Sequence, residues 1–461
     1  MAATPVRRGS RVGATYSLPL ATFGEEELDA VKTRLTMQPR ASFSAPPPPF
    51  RAWSVTETEL HVPRFYGLAQ FGVPEFDDRV LGEAVTLSFE GSLTEVQQNA
   101  TSAIFTKHVC PEGNGGAIIT LPCGFGKTVW AVHAAAALGR KTCILVHKAV
   151  IRDQWKEAFE RFCPGVRVGF VQGKTWQVEG CEVVIAMIMT LAKRAYHPSV
   201  MDCFGLVVAD ECHHMAAPIM HLAMRVFRAR YILGLTATKE RADGLTPLLH
   251  WSLGPEGFRH DRQNQLAKVS VALYTGGVRD MLTRDGKCLT AVMLNKLAVN
   301  APRNAFIADR VALMRKSGRV ILVFTHRLVQ LDMLRTLLLA RGVPDAEVGI
   351  FKSGMSDSVW QEQLARPVVI CSYGMADEGV NKEEADTIVM ATPKSAVEQC
   401  IGRAQRPCET KQGTLVLDVA DDASVFARQR WKRQKFYKKQ GYEVQVVSVA
   451  AHGADDGVWF T

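Results

Sequence analysis

The chain has 461 residues, too many for one hydrophobic core, so two or more domains are expected. Apolar residues at 47% and charged residues at 22% suit a globular protein, and no apolar run is long enough to predict a membrane span. The net charge of +9 favours a polyanionic partner such as nucleic acid, and 11 scattered Cys without a C-x-x-C pair argue against structural zinc or a disulfide framework and for an intracellular setting, nucleus or cytoplasm.

Residues 1–50 read as a weakly ordered basic tail, with Arg7, Arg8 and Arg11 near its start and the proline run Pro46–Pro49 at its end. Residues 51–92 alternate at Glu57–Val62 and again at Ala84–Phe89, which predicts a small β-rich appendage. From 93 to 250 strand-length apolar runs (Ala117–Leu121, Thr142–Val146, Val166–Val171, Val183–Ala186, Leu206–Ala209, Tyr231–Leu235) alternate with helical stretches. Such alternation predicts a parallel sheet covered on both faces. Residues 251–300 read as an irregular connecting segment. A second βα series occupies 301–461, with a helix over Arg303–Arg315 and strands at Val320–Phe324, Pro367–Cys371, Thr387–Ala391, Thr414–Val419 and Glu443–Val447.

Four stretches carry chemistry. Leu121-Pro122-Cys123-Gly124-Phe125-Gly126-Lys127-Thr128 joins a strand to a helix N-terminus, where backbone N–H groups and the helix dipole can cradle phosphate. Lys127 can reach β/γ-phosphate oxygens and Thr128 can hold Mg²⁺; Leu121 stands where the full phosphate-loop pattern has its first Gly. Leu206–Ala209 ends in Asp210 and Glu211, which suit a metal ligand and a group that orients the attacking water. Thr236-Ala237-Thr238 closes another strand. Gln399-Cys-Ile-Gly-Arg403-Ala-Gln-Arg406 places two arginines on one helical face, suited to charge developing on a γ-phosphate.

In order and spacing these stretches resemble motifs I, II, III and VI of superfamily 2 helicases of the DExH kind, over roughly residues 93 to 450. Members of the xeroderma pigmentosum B, phage recombination and large-DNA-virus branch are the most similar in pattern. The resemblance implies two tandem RecA-like lobes using ATP and Mg²⁺, with Lys127, Asp210, Glu211, Gln399, Arg403 and Arg406 catalytic and Gly379 in the nucleotide site. It implies that Gln97, in Leu93-Thr-Glu-Val-Gln97, reads the adenine edge, with Gln98 as a rival. It also implies that Lys148, Arg241, His326 and Arg327 face nucleic acid and that Thr236 and Thr238 couple the two sites. The activity implied is an ATP-dependent DNA helicase or translocase moving 3′ to 5′, with a polymerase or a replication or transcription factor as partner. An RNA helicase or transcript-release factor is the alternative, and the run Arg241-Ala-Asp243-Gly244 tilts the choice to DNA.

The segment Arg428–Lys439 packs seven cations with Trp431, Phe436 and Tyr437. That mixture suits a single strand, through phosphate attraction and base stacking. It equally suits a terminal helix with its aromatics on the lobe and its lysines in water.

Overall fold

The computed structural model describes residues 6–39, 48–122, 124–194, 196–213, 217–237, 244–260, 267–352, 354–355, 357–374, 382–405, 411–450 and 459. The chain divides into two compact units, Met1–Asp261 and Arg262–Thr461.

The first unit is built on an eight-stranded sheet. Its strands are β1 (Gly116–Thr120), β2 (Thr142–Val146), β3 (Val168–Gln172), β4 (Thr175–Trp176), β5 (Val183–Met187), β6 (Leu206–Ala209), β7 (Tyr231–Thr236) and β8 (Glu256–Arg259). They lie in the order β4-β3-β5-β2-β6-β7-β1-β8. Neighbours are parallel except in the β3–β4 hairpin. Every residue of β1, β2 and β6 is buried, as a sheet covered on both faces requires. The period of two sorts the side chains: Ile118, Leu145 and Val207 enter one apolar layer, whereas Ile119, Ile144 and Val208 enter the other. Helices α1 (Glu95–Lys107), α2 (Lys127–Leu138) and α3 (Ala149–Phe162) contribute to the second layer.

The second unit repeats the plan with seven strands, all parallel. These are β9 (Lys268–Tyr274), β10 (Ile321–Thr325), β11 (Val348–Phe351), β12 (Val368–Ser372), β13 (Thr387–Met390), β14 (Leu415–Asp421) and β15 (Glu443–Val449), in the order β11-β12-β10-β13-β14-β9-β15. Its helices include α4 (Thr290–Ala298), α5 (Ala301–Lys316), α6 (Leu328–Leu339), α7 (Glu398–Ala404) and α8 (Ser424–Lys439). Each unit is therefore a RecA-like lobe.

Three expectations are corrected. Residues 1–50 are not a tail throughout: Thr15–Pro19 pairs antiparallel with Glu59–Pro63 in a five-stranded sheet that also contains Arg11–Val12. Tyr16, Leu18, Leu60 and Val62 from that sheet are buried in the same apolar layer as Phe227 and Leu253, so the N-terminal sheet is part of the first unit's core. Of the proline run, Pro46 and Pro47 lie outside the described residues. Ala84–Phe89 forms no strand; a lone bridge joins Ala84 to Arg140, and Leu87 and Phe89 pack against the lobe instead. The segment 251–300 is no connector, because β9 lies between β14 and β15 inside the second sheet. Its alternation was obscured by Ser270 and flanking polar residues, although Val269 and Val271 are fully buried.

One buried cation ties the N-terminal sheet to the lobe. Arg64, 2% exposed, donates from Nη1 to the Ala229 carbonyl and from Nη2 to the Phe227 carbonyl, both at 2.8 Å. Those carbonyls lie on the approach to β7, whose far end enters the candidate site.

Candidate functional site

At the C-terminal edge of the first sheet, β1 leads into the turn that precedes α2. Gly124 and Gly126 have φ of +89° and +72°, the left-handed region that favours glycine. Gly126 is required for a second reason: a Cβ there would stand 2.4 Å from Gln97 Nε2. No side chain caps the N-terminus of α2, so its first backbone N–H groups face the turn and can receive an anion. Cys123 lies outside the described residues.

Gln97 stands behind this loop, 4% exposed. Its Oε1 accepts the Thr94 N–H at 2.8 Å within a capping box, and its Nε2 donates to the carbonyls of Gly126 at 3.1 Å and Phe125 at 3.3 Å. An amide side chain has two N–H donors and two acceptor lone pairs, so one lone pair remains for an adenine amino group. In this geometry Gln97 first of all holds the loop's shape. Gln98 is exposed and donates to the Leu93 carbonyl at 3.0 Å.

The paired carboxylates sit at the end of β6. Asp210 is buried; its Oδ2 accepts from Trp155 Nε1 at 2.8 Å and its Oδ1 from the Glu211 N–H at 2.8 Å. Burial, reinforced by the neighbouring Glu211 charge, pushes the Asp210 carboxyl up to about 6, against the pull of Trp155 and Lys127. Glu211 is the only non-glycine among the described residues with positive φ, at +44°. That conformation costs on the order of 1–3 kcal/mol and persists where surrounding bonds over-determine it. Here the Asp210 carboxylate holds the Glu211 N–H, and the Leu235 carbonyl accepts the Cys212 N–H at 3.0 Å.

Glu211 then closes a circuit over three strand ends. Its Oε1 lies 3.6 Å from Lys127 Nζ, which also donates to the Leu121 carbonyl at 3.3 Å. Its Oε2 lies 3.4 Å from His213 Nδ1, which is 2.8 Å from Thr236 Oγ1. The Thr236 carbonyl accepts the Leu121 N–H at 3.0 Å, which returns the path to its start. Nδ1 of His213 therefore hydrogen-bonds the Thr236 hydroxyl, with the tautomer deciding which of the two donates, and a protonated ring would add an ion pair with Glu211.

Thr128 is the second residue of α2 and half-buried, so a hydroxyl and the buried Asp210 carboxylate both belong to elements joined by this circuit. Two hard oxygen donors, one a carboxylate raised in pKa by burial, fit a divalent cation such as Mg²⁺. Pro122 is half-buried at the start of the turn, and Lys148 is half-buried as the N-cap of α3.

The second unit holds the remaining expected residues. His326 follows β10, with its backbone N–H and Nδ1 each 2.9 Å from Thr392 Oγ1. Arg327 is engaged by α4, bonding the Asn295 side chain and the Ala291 carbonyl, which leaves it less available to a strand of nucleic acid than its position suggests. Gln399 and Arg403 lie on α7, where Arg403 is half-buried. Thr238, Arg241, Gly379 and Arg406 lie outside the described residues. Trp155 and His213 fall inside stretches similar to family motifs, but the sequence assigned neither a role in the site. His213 follows the acidic pair directly, so adjacency was a usable signal, whereas the Trp155 bond spans 55 residues and leaves no local trace.

The chain is similar to several known proteins. Residues 90–241 match the family described as Type III restriction enzyme, res subunit. A protein of Acanthamoeba polyphaga mimivirus, named as an ATP-dependent RNA helicase, is 27% identical over 396 residues, covering 84% of this chain and 76% of that one. One of African swine fever virus, named likewise, is 24% identical and covers 77% and 74%. A fragment named as an HsdR subunit of a type I restriction enzyme from Vibrio vulnificus shares the fold with a TM-score of 0.57 at 18% identity, covering 80% of this chain and 71% of that one. Dbp5 of S. cerevisiae, bound to RNA and ADP BeF3, does so with a TM-score of 0.53 at 10% identity, covering 78% and 90%. Motif series, fold and relatives converge: the chain resembles superfamily 2 helicases, those of large DNA viruses among them.

Proposed function

We propose that the chain is an ATP-dependent DNA helicase or duplex translocase that hydrolyses Mg-ATP to move 3′ to 5′ along DNA. The closed circuit Leu121–Lys127–Glu211–His213–Thr236 carries this reading, because it links a phosphate cradle to a carboxylate and to a third strand end. The N–H groups opening α2 bind the phosphates, and Lys127 exchanges the Leu121 carbonyl and Glu211 for a γ-phosphate oxygen. Glu211, released from the ammonium, orients the attacking water and accepts its proton. Bound Mg²⁺, held by Thr128 and Asp210, would neutralise charge on the β/γ oxygens. His213 passes the change at Glu211 to Thr236, which is our proposed route from hydrolysis to nucleic-acid contact. Gln399, Arg403 and Arg406 are proposed to act on charge in the transition state, and Gln97 to accept from the adenine amino group.

DNA is favoured by the Arg241-Ala-Asp243-Gly244 run. RNA is the second reading, supported by the names of the viral relatives and by the RNA in the Dbp5 structure. ATPase rates without polymer and with single-stranded DNA, duplex DNA or single-stranded RNA at fixed salt decide between them. Stimulation by DNA above RNA is expected; the reverse order would promote the RNA reading, and a flat response to every polymer would defeat both.

A further inference from the structure

We infer that the outward face of α8 is an additional binding surface for single-stranded nucleic acid, outside the helicase motifs; this rests on the reading of the chain as a nucleic-acid motor. The sixteen residues of α8 contain seven cations and no Asp or Glu. The structure sorts them. Val425, Phe426, Arg433 and Tyr437 face inward, whereas Arg428, Trp431, Lys432, Lys435, Lys438 and Lys439 are exposed. The exposed residues recur at spacings of three and four, so they form one stripe with at least one cation per turn of about 5.4 Å.

The stripe is held in place by buried chemistry. Arg433 grips Asp418 through Nε and Nη2, both at 2.8 Å, and donates from Nη1 to the Lys394 carbonyl at 2.7 Å. The Tyr437 hydroxyl donates to the same carboxylate at 2.9 Å. Trp431 points the other way. It is 63% exposed, and Lys435 Nζ lies 5.4 Å from its ring centroid. Sorting α8 in this way settles the alternatives left open by its composition: Tyr437 serves the lobe, while Trp431 stands in water among cations.

Cations and an exposed indole together select the occupant. Phosphates alone would satisfy the lysines, and so would an acidic peptide, but neither uses the ring. Duplex bases have their faces covered by their neighbours. Unpaired bases offer a face to Trp431 while their phosphates follow the lysine row.

The test uses the full chain and fluorescein-labelled oligothymidylate, with anisotropy read over a salt series. Trp431→Ala is expected to weaken binding by about 5- to 100-fold. Lys432→Ala/Lys435→Ala/Lys438→Ala is expected to flatten the log–log salt slope by about 2. Because these side chains are exposed, ATPase activity without polymer and the melting temperature should stay at wild-type values. Wild-type affinity in both variants would overturn the inference. So would an unaltered Trp431→Ala variant in which inorganic polyphosphate, polyglutamate or duplex DNA competes as well as the oligonucleotide, since the face would then be a general polyanion or protein surface. If no polymer stimulates the wild-type ATPase, the motor reading fails, while anisotropy still reports separately on this face.

Discussion

The two lobes share an architecture, but their most prominent ion pairs differ in kind. In the second, ion pairs are sealed in the interior: Arg303 and Asp421 are both 0% exposed, with two bonds of 2.8 Å between them, and Arg433–Asp418 is as dry. In the first, the charged groups gather at the strand ends, and the Lys127–Glu211 pair keeps a loose 3.6 Å separation with side chains 10% and 22% exposed. A sealed bidentate pair has one geometry, whereas a loose, partly hydrated one can be exchanged for a ligand. The Arg303–Asp421 and Arg433–Asp418 pairs thus serve cohesion, whereas the Lys127–Glu211 pair is held ready for reaction.

Substitutions should expose that division. Lys127→Ala is expected to lower the ATPase rate by at least about 10²- to 10³-fold, read by steady-state phosphate release, with the melting temperature little changed. Loss of folding together with activity would put Lys127 on the cohesive side. Arg433→Ala should do the reverse: it strands the Asp418 carboxylate in the interior and should cost about 3–5 kcal/mol in denaturant unfolding. A cost near zero would mean that water reaches Asp418.

A subtler contrast lies at Asp210. Its carboxyl holds a proton up to about 6 in the fold, against 3.8 ordinarily, so the fold loses stability as pH rises between those values, and the penalty is complete at neutral pH. Asp210→Asn should therefore stabilise the ligand-free protein at pH 7–8 by about 2 kcal/mol, after allowance for one lost hydrogen bond, and abolish ATPase activity. That gain should vanish below about pH 4; a gain independent of pH would locate its cause elsewhere. The smallest effect is expected for Thr236→Val, which removes the hydroxyl from His213. ATPase activity without polymer should stay within about threefold, while the stimulation ratio with nucleic acid falls. Unchanged stimulation would remove Thr236 from the coupling route.

The parts legible in the sequence were those where local pattern and structure share a period. Apolar runs such as Thr142–Val146 became strands with the same ends, because a sheet buried on both faces tolerates little else. The glycine turn before α2 and the acidic pair after β6 could be placed at strand ends from sequence because their spacing is set by a single turn. What escaped depends on distant partners. Thr15–Pro19 is stabilised by Glu59–Pro63 beyond the proline run, and Val348–Phe351 is an ordinary loop candidate until β12 lies beside it. For Gln97 the neighbourhood was legible but not the two bonds by which its amide donors hold the loop.

The Trp155–Asp210 bond has an optical consequence. An indole 1% exposed, with its N–H on a carboxylate that a cation or a proton would neutralise, sits in a local electric field that changes at that moment. Its emission should shift when Asp210 changes charge. The first lobe therefore carries a native fluorophore beside its acidic pair, and stopped-flow difference spectra between the native chain and Trp155→Phe could time the loading step without any label.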